Sequence, residues 1–278
     1  MVRRTRPPVV PQRITLRTIR QWVKAGQKFP MLTCYDATTA RWLWRGGIQV
    51  LLAGDSAAQM ILGFDDTIHA PLDFMVAITA AVRRGAPEAF VMADMPFLSY
   101  HESDAQAVAN AGRFMTEGQA DAVKMEVDES FLSTVRHVTR AAIPVVAHIG
   151  WRPQSLHRTG TAVVAGRTRD KITQLVNLAQ ALQDAGAAML LIEASTAEAS
   201  AEIVAKVSIP VIGCGAGPAC HGHVVILQDW LGLTDWHPAF APAAVDGGRF
   251  IQEAAARWGK LVRSGSYLKK DHPYKLSE

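Results

Sequence analysis

Seven side chains that could hold a metal, move a proton or bind an anionic substrate stand at or just after the ends of short apolar runs. Asp55 and Ser56 follow Val50-Leu51-Leu52-Ala53-Gly54, and Asp94 follows Ala89-Phe90-Val91-Met92-Ala93. Lys124 and Glu126 close Asp121-Ala122-Val123-Lys124-Met125-Glu126, His148 lies near the end of Ile143–Gly150, and Glu193 ends the run that begins at Ala187. A single carboxylate after a strand is ordinarily the N-cap of the next helix. Several successive runs ending this way do not read as caps, because converging carboxylates raise one another's pKa unless a cation sits among them. A divalent metal is the natural remedy. Asp55, Asp94 and Glu126 offer hard oxygen donors, which suit Mg2+; zinc would call for more histidine or cysteine than His148 alone. Mg2+ chelated by the carboxylate and ketone oxygens of a 2-oxo acid would polarise the ketone and stabilise the enolate formed when the adjacent carbon loses a proton. Glu193 is then the base for that proton, and Lys124 and His148 are donors to substrate oxygens.

Such an array needs a scaffold that aims several strand ends at one place. Val50–Ala53 is apolar throughout and contains a β-branched residue, as expected of a strand buried on both faces of a parallel sheet. Similar runs at Phe29–Tyr35, Ala89–Asp94, Asp121–Glu126, Ile143–Gly150, Ala187–Glu193 and Ile209–Gly213 alternate with stretches of helical periodicity, among them Leu72–Arg84, Ser103–Glu117, Lys171–Ala185 and Thr196–Val207. His223–Trp230 reads as helix, an eighth strand falls near Trp236, and Phe250–Ser264 is a last helix. About eight βα units without a Gly-x-Gly-x-x-Gly fingerprint after the first strand predict a (β/α)8 TIM barrel rather than a dinucleotide-binding sheet. The reading is one domain over residues 13–265, a basic tail over 1–12 and a polar tail over 266–278. The loop from Trp151 to Arg169 is long enough to suggest a binding or lid segment.

The totals agree with a folded enzyme and exclude other classes. The 278 residues are 49% apolar and 19% charged, with a formal net charge of +4. No apolar run approaches the roughly 18 residues of a membrane span. The basic excess gathers before Asp36, where no acid occurs; Pro7, Pro8 and Pro11 break any amphipathic targeting helix there, and no aromatic interleaving marks a nucleic-acid surface. Three cysteines without metal-finger spacing read as reduced thiols of a cytoplasmic protein. His221-Gly222-His223 has too few ligands for a metal clip. Gly213, Gly215 and Gly217 would let the backbone approach a substrate. The seven tryptophans are expected as core or interface material.

Together, Thr33-Cys34-Tyr35-Asp36, Gly54-Asp55-Ser56, Ala80–Pro87, Ala93-Asp94-Met95-Pro96-Phe97, Val123-Lys124-Met125-Glu126, His148–Ser155, Ile192-Glu193 and Ile209–Gly217 resemble ketopantoate hydroxymethyltransferases, in that family's order. The resemblance implies a barrel of the phosphoenolpyruvate mutase and isocitrate lyase type. It implies transfer of a hydroxymethyl group from 5,10-methylenetetrahydrofolate to the carbon beside the ketone of 2-oxoisovalerate, and assembly into a large homo-oligomer, typically a decamer. By position, it makes Asp55, Asp94 and Glu126 the Mg2+ site, Ser56, Lys124 and His148 the substrate-binding groups, and Glu193 the proton acceptor.

Several positions depart from the family's usual pattern. Val127-Asp128 replaces Gly-Gly, Gly160–Arg167 lacks the usual Tyr and Lys, Asp66–Pro71 replaces Ser-Thr-Leu-Pro-Val-Thr, and Ile78 stands for a histidine. His221-Gly222-His223 replaces Asp-Gly-Gln, and His237-Pro238-Ala239-Phe240 replaces Lys-Pro-Lys-Phe. The acid/base set is intact while the loops differ. This leaves room for a paralogue using another 2-oxo acid, or for a lyase or mutase of the same superfamily acting on a phosphoenolpyruvate- or oxaloacetate-like substrate.

Overall fold

A computed structural model describes residues 13–267 and Tyr274. The expected tail over residues 1–12, and all of the expected C-terminal tail except residues 266–267 and Tyr274, fall outside the described residues. Eight parallel strands close into a barrel in sequence order: β1 (Phe29–Thr33), β2 (Val50–Ala53), β3 (Phe90–Asp94), β4 (Ala122–Glu126), β5 (Val145–Gly150), β6 (Met189–Glu193), β7 (Val211–Cys214) and β8 (Gly222–Val225). The helices are α1 (Leu16–Lys24), α2 (Ala37–Arg45), α3 (Ala57–Met60), α4 (Leu72–Gly85), α5 (Asp104–Thr116), α6 (Leu132–Arg140), α7 (Leu156–Thr159), α8 (Arg169–Asp184), α9 (Ala197–Lys206), α10 (Leu227–Trp230) and α11 (Gly247–Arg263). No helix among the described residues is long and apolar enough to cross a membrane.

The period-2 alternation of strand side chains decides what faces the barrel axis. Val50, Leu52, Phe90, Met92, Ala122, Val146, Met189, Leu191, Ile212 and Val224 form one buried cluster with Ile19 of α1, and Leu16, Trp22 and Val23 pack against it. The intervening strand residues, such as Val123, Met125, Val145, Ala147, Leu190 and Ile192, pack with helix residues including Met75, Phe114, Val138 and Leu182. The first set therefore fills the barrel and the second lies between sheet and helices. Continuing the inward parity toward the strand ends takes Phe90 and Met92 to Asp94, Ala122 to Lys124 and Glu126, Val146 to His148, and Met189 and Leu191 to Glu193. One face of each of β3 to β6 is thus apolar at the end packed against α1 and polar at the other, where active sites of this architecture form.

The eighth strand differs from the sequence reading. It is Gly222–Val225, not a segment near Trp236, and only Leu227–Trp230 of the expected helix His223–Trp230 is helical. The glycine-rich approach hid a four-residue strand ending in two valines. Closure needs Gly222: it pairs with Phe29 of β1, and a Cβ there would lie 2.3 Å from the Phe29 ring. Of the tryptophans, Trp22 and Trp44 are half-buried against the core, and Trp42, Trp230, Trp236 and Trp258 are exposed.

The chain divides into two compact units, one through Val225 and one from Ile226 onward. The first holds all eight strands. The second holds α10 and α11, both within the span 13–265. Within this unit Gly247 N–H donates to Leu231 O at 2.8 Å and Ala244 N–H to Trp230 O at 2.8 Å.

Candidate active site

All seven expected residues come together at the carboxyl ends of β2 to β6. Asp55, Ser56, Asp94, Lys124, Glu126 and His148 are buried, while Glu193 keeps 22% of its side chain exposed. Strand register makes the neighbours: Asp94 lies beside Lys124, and Glu126 beside His148. The Lys124 ammonium is 2.5 Å from Asp94 Oδ1 and 3.1 Å from His148 Nδ1. His148 continues the chain, with Nδ1 3.7 Å from Glu126 Oε1 and Nε2 3.4 Å from Glu193 Oε2. Asp55 joins through its backbone N–H, which donates to Asp94 Oδ2 at 3.1 Å. Ser56 Oγ lies 2.8 Å from the buried Tyr35 hydroxyl.

These contacts exclude a capping role for Asp55. The α3 helix begins after Ser56 without a side-chain cap, whereas Asp36, an ordinary cap, accepts the Thr39 N–H. Beyond His148 the backbone turns at Gly150, whose φ is +89°, and a Cβ there would lie 2.3 Å from Glu193 O. Glycine lets the Trp151 N–H reach Glu193 O at 2.8 Å and brings the base-bearing strand against the long loop.

Burial sets the electrostatics. It pushes the Asp94 carboxyl up to about 7 against the pull of Lys124, and the Glu193 carboxyl likewise to about 7. Burial raises Glu126 well above the carboxylate range and drops His148 well below the imidazole range, aided by Lys124. Burial also works against the Lys124 charge, but Asp94, Asp55 and Glu126 outweigh it and keep the amine protonated. An ammonium can only donate, so His148 Nδ1 accepts and the neutral ring carries its proton on Nε2, on the side of Glu193. Four carboxylates share this one ammonium.

The cluster can therefore take up a cation. Among the described residues no three His, Cys, Asp or Glu side chains converge as a metal cluster. Glu126 is held by one oxygen: its Oε2 accepts the Gln154 N–H at 3.0 Å. Asp55 and Asp94 remain side by side. Mg2+ is commonly held by one or two carboxylates, with water and substrate completing its shell, so this pair fits it. Glu126 Oε1 is buried without an aligned hydrogen-bond donor among the described residues, as an oxygen facing a cation would be, while Asp94 Oδ1 faces the Lys124 ammonium.

Three residues of the site were not singled out from sequence. Gln154 is buried and donates from Nε2 to Asp55 Oδ2 at 2.8 Å and to Met95 O at 3.1 Å. Tyr100 accepts the Glu126 N–H at 3.1 Å and donates to Gln154 Oε1 at 2.8 Å. Tyr35 holds Ser56. Gln154 lies in the 3-10 turn Pro153–Ser155 of the long loop, where a neutral polar residue carries no sequence signal that it folds inward. His221, weighed as half of a metal clip, instead accepts the Val211 N–H at 3.0 Å, and His223 is exposed.

A model of the family described as ketopantoate hydroxymethyltransferase matches residues 13–270. The chain belongs to this family. A 3-methyl-2-oxobutanoate hydroxymethyltransferase of Prosthecochloris aestuarii is 40% identical over 266 residues, 94% of this chain and 96% of the relative. One from Mycobacterium sp. strain KMS is 40% identical over 270 residues, covering 96% and 95%. The strand-end cluster is thus the mouth of a hydroxymethyltransferase barrel. Among solved structures, 2,3-dimethylmalate lyase, a PEP mutase/isocitrate lyase superfamily member, aligns with a TM-score of 0.60 at 18% identity over 91% of this chain and 89% of that one. Phosphoenolpyruvate phosphomutase from Streptomyces platensis subsp. rosaceus aligns at 0.63 and 13%, covering 91% and 88%. Phosphonopyruvate hydrolase in complex with oxalate and Mg++ aligns at 0.61 and 13%, covering 95% and 92%. At these identities the hydroxymethyltransferase family and these enzymes share a fold, a barrel of the phosphoenolpyruvate mutase and isocitrate lyase type.

Proposed function

We propose that this family member transfers a hydroxymethyl group from 5,10-methylenetetrahydrofolate to the carbon beside the ketone of 2-oxoisovalerate, with Mg2+ held at Asp55 and Asp94. The observation that carries the reading is the buried line Asp94, Lys124, His148, Glu193, a carboxylate-rich pocket that ends in a partly exposed carboxylate. Mg2+, when bound, supplies Lewis-acid polarisation of the ketone. Glu193 takes the proton from the adjacent carbon. Its carboxyl, lifted by burial to about 7, is basic enough for the task and still ionised in good part near neutrality. The His148 Nε2–H and the Lys124 ammonium donate to substrate oxygens, and Ser56, fixed by Tyr35, binds substrate beside Asp55. Glu126 supports the metal site at one remove. Phosphonopyruvate hydrolase in complex with oxalate and Mg++, which shares the fold, supports a 2-oxo-acid-like anion and this metal here.

A cytoplasmic setting is supported by the buried thiols of Cys34 and Cys220. Self-association is supported by the exposed apolar residues Phe250, Ile251 and Trp258 of α11. The loops at 66–71 and 160–167, which depart from the family pattern, favour testing other 2-oxo acids in parallel. The test is product formation by purified protein from a panel of 2-oxo acids with methylenetetrahydrofolate and Mg2+. Ketopantoate formed from 2-oxoisovalerate at the highest kcat/KM is the expected result. Turnover of a different acid alone would make the chain a paralogue, and turnover of none would overturn the assignment.

A further inference from the structure

We infer that Gln154 is the positioning residue of the metal site, turning one oxygen of Asp55 and one of Glu126 away so that the opposite oxygens are presented to the cation. The inference rests on the Mg2+ reading above. Gln154 makes four hydrogen bonds from a single buried position. Its side-chain amide donates to Asp55 Oδ2 and Met95 O, its carbonyl accepts from Tyr100, and its backbone N–H donates to Glu126 Oε2. These partners come from the ends of β2, β3 and β4, so one residue of the β5 loop ties three strand ends together.

The amide has only one workable orientation. A flip would set Oε1 against a carboxylate and a carbonyl, both acceptors. The Tyr100 hydroxyl accepts from the Glu126 N–H and has two acceptors in reach, Glu126 O at 3.1 Å and the nearer Gln154 Oε1 at 2.8 Å. The network runs from the Glu126 N–H through Tyr100 and Gln154 to Asp55 Oδ2. A carboxylate held by one oxygen presents the other. On Glu126 that other oxygen is the buried Oε1, which lacks an aligned donor, and on Asp55 it is Oδ1. A neutral donor is needed at this place. An acid would repel Asp55, and a cation would compete with the metal for it. Partners outside the coordination shell that orient metal carboxylates typically govern about 10–100-fold in metal affinity.

The test compares Mn2+ binding, by electron paramagnetic resonance, and Mg2+ binding, by calorimetry, in wild type, Gln154→Met and Tyr100→Phe, all well below their melting temperatures. Gln154→Met keeps length and removes the amide. It is expected to weaken Mn2+ binding at least about tenfold, a change that loss of packing alone would not produce in the folded protein. Tyr100→Phe keeps the ring and removes only the hydroxyl that orients the amide, and should weaken binding at least about threefold. If Gln154→Met does not fold, Tyr100→Phe decides on the same criterion. Binding within twofold of wild type in the folded variants overturns the role of Gln154 and leaves the metal reading standing. Failure of the wild type itself to bind either ion, with or without 2-oxoisovalerate, overturns the metal reading and this inference with it.

Discussion

The barrel mouth holds two polar clusters built on opposite terms. The inner one, Asp94–Lys124–His148–Glu193 with Asp55, Glu126 and Gln154, is carried by strands, and most of its members are buried. The outer one joins two loops: Asp66 lies 2.7 Å from His69 Nδ1 and 3.2 Å from His157 Nε2, with the histidines 51% and 70% exposed. Burial works against the Asp66 charge, but bonds from His69 and His157 outweigh it and hold the carboxyl below its ordinary range. In the inner cluster burial prevails and lifts Asp94, Glu126 and Glu193. Where strands dictate positions, charges can be kept in an unfavourable state for use. Loops near water settle into pairs that cost and contribute little.

Removing the inner ammonium should have the largest effect on stability. Lys124→Met leaves Asp94 and Asp55 uncompensated, and should cost about 3–5 kcal/mol in urea unfolding. A loss below about 1 kcal/mol would put the inner cluster on the same footing as the rim. The second expected effect is on pH. Glu193 acts as a base only when ionised, and its folded carboxyl sits at about 7. At saturating Mg2+, which keeps Asp94 ionised, kcat/KM should therefore fall about tenfold per unit below pH 7 and level off above it. A flat profile down to pH 5 would remove Glu193 from the role. The smallest effect belongs to the rim. His157→Ala should change stability by less than about 1 kcal/mol, and by less still in high salt. A larger loss would show that the two loops are coupled more tightly than exposed pairs allow.

Much of this was legible in the chain, for physical reasons that differ by residue. Asp94, Lys124, Glu126, His148 and Glu193 announce themselves because a polar residue at the end of an apolar strand has no cheap explanation, and because period-2 alternation sends them all inward. Gly222–Val225 was missed because a four-residue strand opening on glycine offers no apolar run, and its pairing with Phe29 is a property of the closed barrel. Gln154 lies inside the motif His148–Ser155 but carries no signal of its own, since its function comes from a turn that folds back over the ends of β2, β3 and β4. Sequence places Glu126 at the same end as Asp55 and Asp94, but does not show that Gln154 holds its Oε2 and Tyr100 its backbone N–H.

The central claim is that Glu193, beside a metal at Asp55 and Asp94, removes a proton from the carbon next to a ketone. Solvent deuterium exchange at that carbon of 2-oxoisovalerate, followed by NMR without any folate, measures this step alone. Exchange should require Mg2+, stop with EDTA, and slow by about 100-fold or more in Glu193→Gln. Exchange that proceeds without metal, or at the wild-type rate in Glu193→Gln, would contradict it.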